Sequence, residues 1–253
     1  MKRMLNKTAS RALALIAAAV VLTAAALSTA GCAGTPAVKR EAGKSYSLTV
    51  LHTNDHHGTV LPNGGQGGLA ERATYIAGVR AADANVLLLD AGDINTGSAL
   101  SNMFKGEIDI NAYNLMKYDA VAFGNHEFDN DLALIEKQIA QAEFPWISAN
   151  VTRADGKYLD QAYIIKNYDG IRVGVFGLTT LRTLTIASPD KSLKFADEIA
   201  TATAMVEKLR TKEKCDLVIA VAHLGLVEET AGQVTSEKLG ATSGRWRPPP
   251  AST

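Results

Sequence analysis

An alternating, layered α/β domain is the fold this sequence predicts, and three observations carry the prediction. Short continuous apolar runs recur, bounded by turn residues, as strands covered on both faces require. The clearest are residues 85–90 (Asn-Val-Leu-Leu-Leu-Asp) and 216–225 (Asp-Leu-Val-Ile-Ala-Val-Ala-His-Leu-Gly). Stretches of helical periodicity separate these runs. Polar residues of ligand type stand where several runs end, and in open α/β sheets chemistry sits at strand ends.

Taken in order, residues 46–52 are rich in β-formers and end in Thr53-Asn54-Asp55-His56-His57-Gly58, before a glycine-rich loop at 63–68. Residues 69–82 place Leu69, Tyr75, Ile76 and Val79 on one side of a helix. The run 85–90 leads into Ala91-Gly92-Asp93. Helical stretches at 99–105 and 108–116 precede the apolar run 118–124, which opens into Asn125-His126-Glu127-Phe128-Asp129. Residues 131–142 form the next helix, striped by Leu132, Ile135 and Ile139. Residues 144–150 are expected as a strand, since Pro145 is tolerated near a strand's start. Residues 163–177 predict a hairpin turning at Asp169-Gly170, the strongest short hairpin signal in the chain. A helix at 196–212 and the strand within 216–225 follow.

The two ends read differently. Lys2, Arg3, Lys7 and Arg11 precede an almost continuous apolar stretch at 12–26, then Thr29-Ala30-Gly31-Cys32. That order of basic, apolar and small residues is the order of an export signal over 1–32. About 15 strongly apolar residues fall short of the ~20 that span a bilayer. Lipidation at Cys32, plain secretion and an uncleaved anchor are the three readings, with membrane attachment through a lipid on Cys32 preferred. Residues 33–45 read as a flexible tether and 46–242 as the domain. The Pro/Arg segment 243–253 is expected to be a divergent, disordered tail. With Cys32 carrying lipid, Cys215 has no disulfide partner and is expected to be a small buried side chain.

The 253 residues carry 26 Lys+Arg against 26 Asp+Glu. That balance argues against a nucleic-acid polymer as partner, which calls for a basic excess. Four apolar runs end in groups suited to metal binding: Asp55-x-His57, Asp93, Asn125-His126 and His223. Residues two apart in an extended segment face the same way, so Asp55 and His57 are expected to meet one ion. Gly92 lets the backbone turn tightly and bring the Asp93 carboxylate forward. A carboxylate can bridge two ions, and mixed nitrogen and oxygen donors suit divalent transition metals. The competing reading is structural: Asn125 and Asp129 turn the chain and His126 lies on the surface. By strand alternation His52 and His56 are assigned to packing, Asp90 to a turn, and Glu127 to a solvated helix start. The glycines at 64–68 are read as a loop in preference to a phosphate cradle.

Together Asp55-x-His57, Gly92-Asp93, the segment Gly124-Asn-His-Glu-Phe-Asp129 and Ala222-His-Leu-Gly225 resemble the ordered signature of the calcineurin-like metallophosphatases. The neighbouring residues resemble the bacterial 5′-nucleotidase and 2′,3′-cyclic phosphodiesterase branch. This resemblance implies layered mixed β-sheets flanked by helices. It implies a hydrolase that cleaves nucleotide-type phosphate esters by a two-metal hydroxide mechanism. It also implies two divalent ions, Zn, Mn or similar. Asp55 and His57 would bind one, Asn125 and His223 the other, and Asp93 both. His126 would be the catalytic histidine, oriented by Asp129. Family members carry a further Gly-His-x-His or Gly-His-x-Gln segment, and this chain has no His after His223. The domain is therefore expected to be C-terminally incomplete. A non-catalytic remnant with weak metal or nucleotide binding is the alternative, and a sulfur-ester hydrolase the alternative within the class.

Overall fold

Four parallel strands form the first sheet in the order β1 (Thr49–Thr53), β2 (Val86–Asp90), β3 (Ala120–Ala122) and β4 (Trp146–Ile147). They are seen in a computed structural model that describes residues 41, 43–225 and 233–234. The sequence readings for residues 1–40, including Cys32, and for 243–253 lie outside the described residues. Strand β2 shows why an unbroken apolar run was needed. Its side chains alternate across the sheet, so Leu88 faces the helices while Leu87 and Leu89 face a second sheet, and all three are buried.

Helices α1 (Leu69–Ala82), α2 (Ala99–Phe104), α3 (Glu107–Met116) and α4 (Leu132–Gln141) fall where periodicity placed them, within a residue or two. Ile76 of α1, Ile110, Tyr113 and Met116 of α3, and Ile135 of α4 pack with Leu88, Val121 and Trp146 to form the largest core. The second sheet runs β6 (Tyr163–Tyr168), β7 (Ile171–Thr179), β9 (Leu217–His223). Strands β6 and β7 are the foreseen hairpin, with Tyr168 opposite Ile171 and positive φ at both Asp169 and Gly170. Both central residues of a type I′ turn need that conformation. Strand β9 returns parallel to β7. Ile164, Val173, Val175 and Val221 close the inter-sheet core. On the far face Phe176 and Leu178 pack with Met205 of α6 (Glu198–Glu207), Leu209 and the free, buried Cys215. The layers are therefore helix, sheet, sheet, helix. A short helix, α5 (Thr183–Ile186), follows β7.

Four elements differ from the sequence reading. The strand expected at 144–150 holds its place in the first sheet only at Trp146 and Ile147. Beyond them the chain crosses over: Ser148 N–H donates to Gln161 O and Ala149 N–H to Gly177 O, each at 2.9 Å. Gly177 permits this approach, since an added Cβ would strike the Ile147 carbonyl. Strands β5 (Val151–Thr152) and β8 (Lys194–Phe195) pair antiparallel, and two residues are too few to show a period. The helix expected at 196–212 is α-helical from Glu198 to Glu207, capped by the Asp197 carboxylate on Ala200 N–H (2.7 Å), and ends in a π turn at Lys208–Lys212.

A buried polar network underlies the strand ends. Asp90 accepts from Thr53 Oγ1 (2.5 Å), Tyr113 OH (2.8 Å) and Gly92 N–H (2.7 Å). It is thus the expected turn carboxylate, and burial lifts its pKa to about 6 against those three bonds. His56 is buried as expected, its Nδ1 3.1 Å from an Arg72 nitrogen. His52, by contrast, is exposed. The loop at 63–68 closes on itself through mutual Asn63 and Gln66 backbone bonds, and Gly68 N–H donates to Glu71 Oε2 at 2.9 Å. Those donors are engaged in the turn and the helix start, which fits the loop reading.

Candidate active site

Each expected ligand follows or ends a parallel strand: Asp55 and His57 after β1, Asp93 after β2, Asn125 and His126 after β3, His223 as the last residue of β9. The two sheets thus deliver their ligands to one end of the domain. The loop after β1 does not lie extended, and this corrects the alternation argument for Asp55 and His57. Their φ values are +51° and +48°, and that of Asp93 is +58°. All three side chains stand on left-handed backbone, which costs a non-glycine residue on the order of 1 kcal/mol. Ladder-like bonds hold the turns in place: Asp55 N–H donates to Gly92 O (3.0 Å), His57 N–H to Asp93 O (2.9 Å) and Gly58 N–H to Ile94 O (3.0 Å). The loops after β2 and β3 touch at two glycines. Gly92, at φ +98°, leaves no room for a Cβ against Gly124, and Gly124 leaves none against Asp93.

Glu127 locks these loops together, and sequence reasoning missed it. Expected at a solvated helix start, it is buried (1% exposed). Its carboxylate accepts from Asp93 N–H (2.9 Å), Ile94 N–H (2.9 Å) and Gly124 N–H (2.7 Å). Burial and the charge of Asp93 push its pKa up to about 7, although the backbone donors pull the other way. No sequence pattern marks such a residue, because two of its partners come from a loop more than thirty positions away.

Asp93 is the centre of the cluster. Its Oδ2 lies 3.2 Å from His223 Nε2 and 3.8 Å from His57 Nε2, while its Oδ1 accepts from His126 N–H at 2.8 Å. His57 Nε2 is also 3.7 Å from Asp55 Oδ1. Donor atoms fall into two groups, Asp55–Asp93–His223 and His57–Asp93–His126, each within 4.8 Å, with Asp93 common to both. That sharing is what a carboxylate between two cations requires.

The chemistry of His223 tests whether cations fit. Its Nδ1 lies 2.9 Å from the Ala91 carbonyl, so Nδ1 carries the proton and donates. Its Nε2 then faces two acceptors, Asn125 Oδ1 at 3.1 Å and Asp93 Oδ2 at 3.2 Å. A lone pair aimed at two oxygens needs a positive charge between them, either a second proton or a metal ion. Burial lowers the His223 pKa, but the bond to Asp93 and its charge outweigh burial and lift the value to about 9. The donor set fits divalent transition-metal ions.

His126 and Asp129 form a pair, Nδ1 to Oδ2 at 2.5 Å, on the one-turn 3₁₀ helix His126–Asp129. Burial lowers the His126 pKa, while the bond to Asp129 and the charge of Asp93 raise it, with a net upward shift. The His126 ring meets the His57 ring edge-on at 5.1 Å between centroids. The cluster lines a cavity of about 280 Å³. Thr180, Arg182, Ile186 and Gln233 line it too, none of them singled out from the sequence.

Against known proteins, residues 48–244 match the model of the family described as calcineurin-like phosphoesterase. The chain is similar to a 5′-nucleotidase of Vibrio cholerae, 44% identical over 219 residues, covering 83% of this chain and 40% of the relative. It is also similar to Protein UshA of Escherichia coli, 39% identical over 209 residues, covering 79% of this chain and 38% of the relative. Among solved structures, a 5′-nucleotidase precursor from Thermus thermophilus superposes with a TM-score of 0.66 at 33% identity, over 70% of this chain and 37% of that one. The chain spans about two fifths of the length of these relatives.

Proposed function

The chain belongs to the calcineurin-like phosphoesterase family, and from that premise we propose that it hydrolyses nucleotide-type phosphate monoesters with two divalent cations. The observation that carries the proposal is Asp93, common to both donor groups and flanked by His57, His126 and His223. Asp55, His57, Asn125 and His223 would complete the cation sites. Bound ions would supply Lewis-acid polarisation of the phosphoryl oxygens and a nucleophile active at neutral pH.

The chain's own groups account for the rest. Glu127 fixes the backbone of Asp93, so its carboxylate is held before any ligand arrives. Asp129 holds His126 through Nδ1, which leaves Nε2 facing outward from that bond to hand a proton to the departing ester oxygen. The upward shift of its pKa favours keeping that proton, the direction a general acid needs. The relatives do not favour the sulfur-ester or remnant readings. Support for the nucleotide substrate is the similarity to the 5′-nucleotidase of Vibrio cholerae.

The test uses the full chain: bound Mn and Zn are measured, then turnover of p-nitrophenyl phosphate and 5′-AMP. Asp93→Asn is expected to lose metal and turnover together. His126→Asn should keep metal and lose about 10²–10⁴ in kcat. A folded parent chain that neither binds these metals nor turns over either ester would overturn the proposal. Export with lipid on Cys32 belongs to the same reading and is supported by the residue order of 1–32. Labelled palmitate should be incorporated by the parent and not by Cys32→Ser; equal labelling would refute it.

A further inference from the structure

Four parallel strands end in donors to the cluster, and a fifth, β7, ends beside it with a different kind of residue. The register places Thr179 opposite His223, and Thr180 N–H donates to the His223 carbonyl at 3.0 Å. Two residues on, Arg182 lines the same cavity as the cluster. It is the one Lys or Arg among the described lining residues. Its backbone N–H donates to Thr180 Oγ1 at 3.2 Å, and its guanidinium to Gln233 Oε1 at 3.3 Å. Gln233 in turn donates to the Leu224 carbonyl at 2.8 Å, one residue past His223. Both anchors therefore run to the backbone that carries His223, so the cation is held in fixed relation to the cluster.

We propose that Arg182 is a substrate-contacting residue that binds the non-bridging oxygens of a phosphoryl group seated at the cluster. This rests on the reading of the site as a phosphoesterase centre. A guanidinium is permanently charged, and its planar fork matches the geometry of phosphate oxygens. Its placement at a strand end, tied to a ligand strand on both sides, is that of a positioned group. The half-buried side chain also sits where screening by solvent is reduced.

The experiment compares the full chain with Arg182→Gln and Arg182→Lys, reading orthophosphate binding by calorimetry in the presence of Mn²⁺, and KM and kcat for p-nitrophenyl phosphate. Loss of a charge-assisted bond should weaken orthophosphate binding and raise KM for Arg182→Gln by about 10- to 100-fold. Metal content should be unchanged and kcat should fall less than KM rises. Arg182→Lys, which keeps charge without the fork, should lie between. It also serves as the second variant should Arg182→Gln fail to fold. Orthophosphate affinity equal in parent and Arg182→Gln, or absent from the parent, overturns the proposal. A parent that binds orthophosphate through Arg182 yet shows no turnover would count against the esterase reading alone.

Discussion

Glu127 shows how much of the site rests on a residue that touches no substrate. Three backbone N–H groups from two loops end on its carboxylate, which is buried away from bulk solvent. Glu127→Gln keeps the shape but swaps one acceptor oxygen for a donor NH₂ group that faces the N–H donors. Each buried donor left without a partner costs about 1–3 kcal/mol. The variant is expected to lose about 2–4 kcal/mol of stability in urea unfolding and to bind metal more weakly, because Asp93 N–H is among the released donors. An unchanged urea midpoint with unchanged metal content would show that the loops hold without it. At this scale the sequence was partly legible. Residue type together with position at the ends of apolar runs marked Asp55, His57, Asp93, Asn125, His126 and His223, and the structure brings all six together. The stated reason for Asp55 and His57 was wrong, because both occupy left-handed turns. Glu127 and Arg182 were invisible, since each acquires its role from a neighbour distant in the chain.

At the scale of elements, legibility tracked how much side-chain pattern an element carries. Strand β2 and the β6–β7 hairpin announce themselves, one by an unbroken apolar run and the other by Asp169-Gly170. Helices α1 and α4 are bounded by groups with a local role: Glu71 bonds back to Gly68 N–H, and Asp131 caps Leu134 N–H at 2.8 Å. Strand β4 was overextended because an apolar segment looks alike whether it stays in one sheet or crosses to another. What decides the matter is the partner of each backbone N–H. For Ser148 and Ala149 that partner lies outside the first sheet. The end of β7 was passed over for a similar reason: Thr179-Thr180 carries no ligand signature until β9 lies beside it.

The whole molecule places its chemistry where two sheets end together. The first sheet supplies Asp55, His57, Asp93, Asn125 and His126, and the second supplies His223 and Arg182. The inter-sheet core of Leu87, Leu89, Val173, Val175 and Val221 therefore does more than bury apolar area, because it sets the distance between His223 and Asp93. Holding Asp55, His57 and Asp93 in left-handed turns also sets catalysis against thermal stability. Glycine adopts that backbone without the steric penalty. Measured free of metal, Asp55→Gly is expected to melt a few degrees above the parent, a gain of about 1 kcal/mol, and to give up metal binding in exchange. A lower melting point would mean that the turn is not strained. Mutations that quieten such a site raise the melting temperature, so selection or screening for heat resistance alone would drift toward chains that are sturdier and inert.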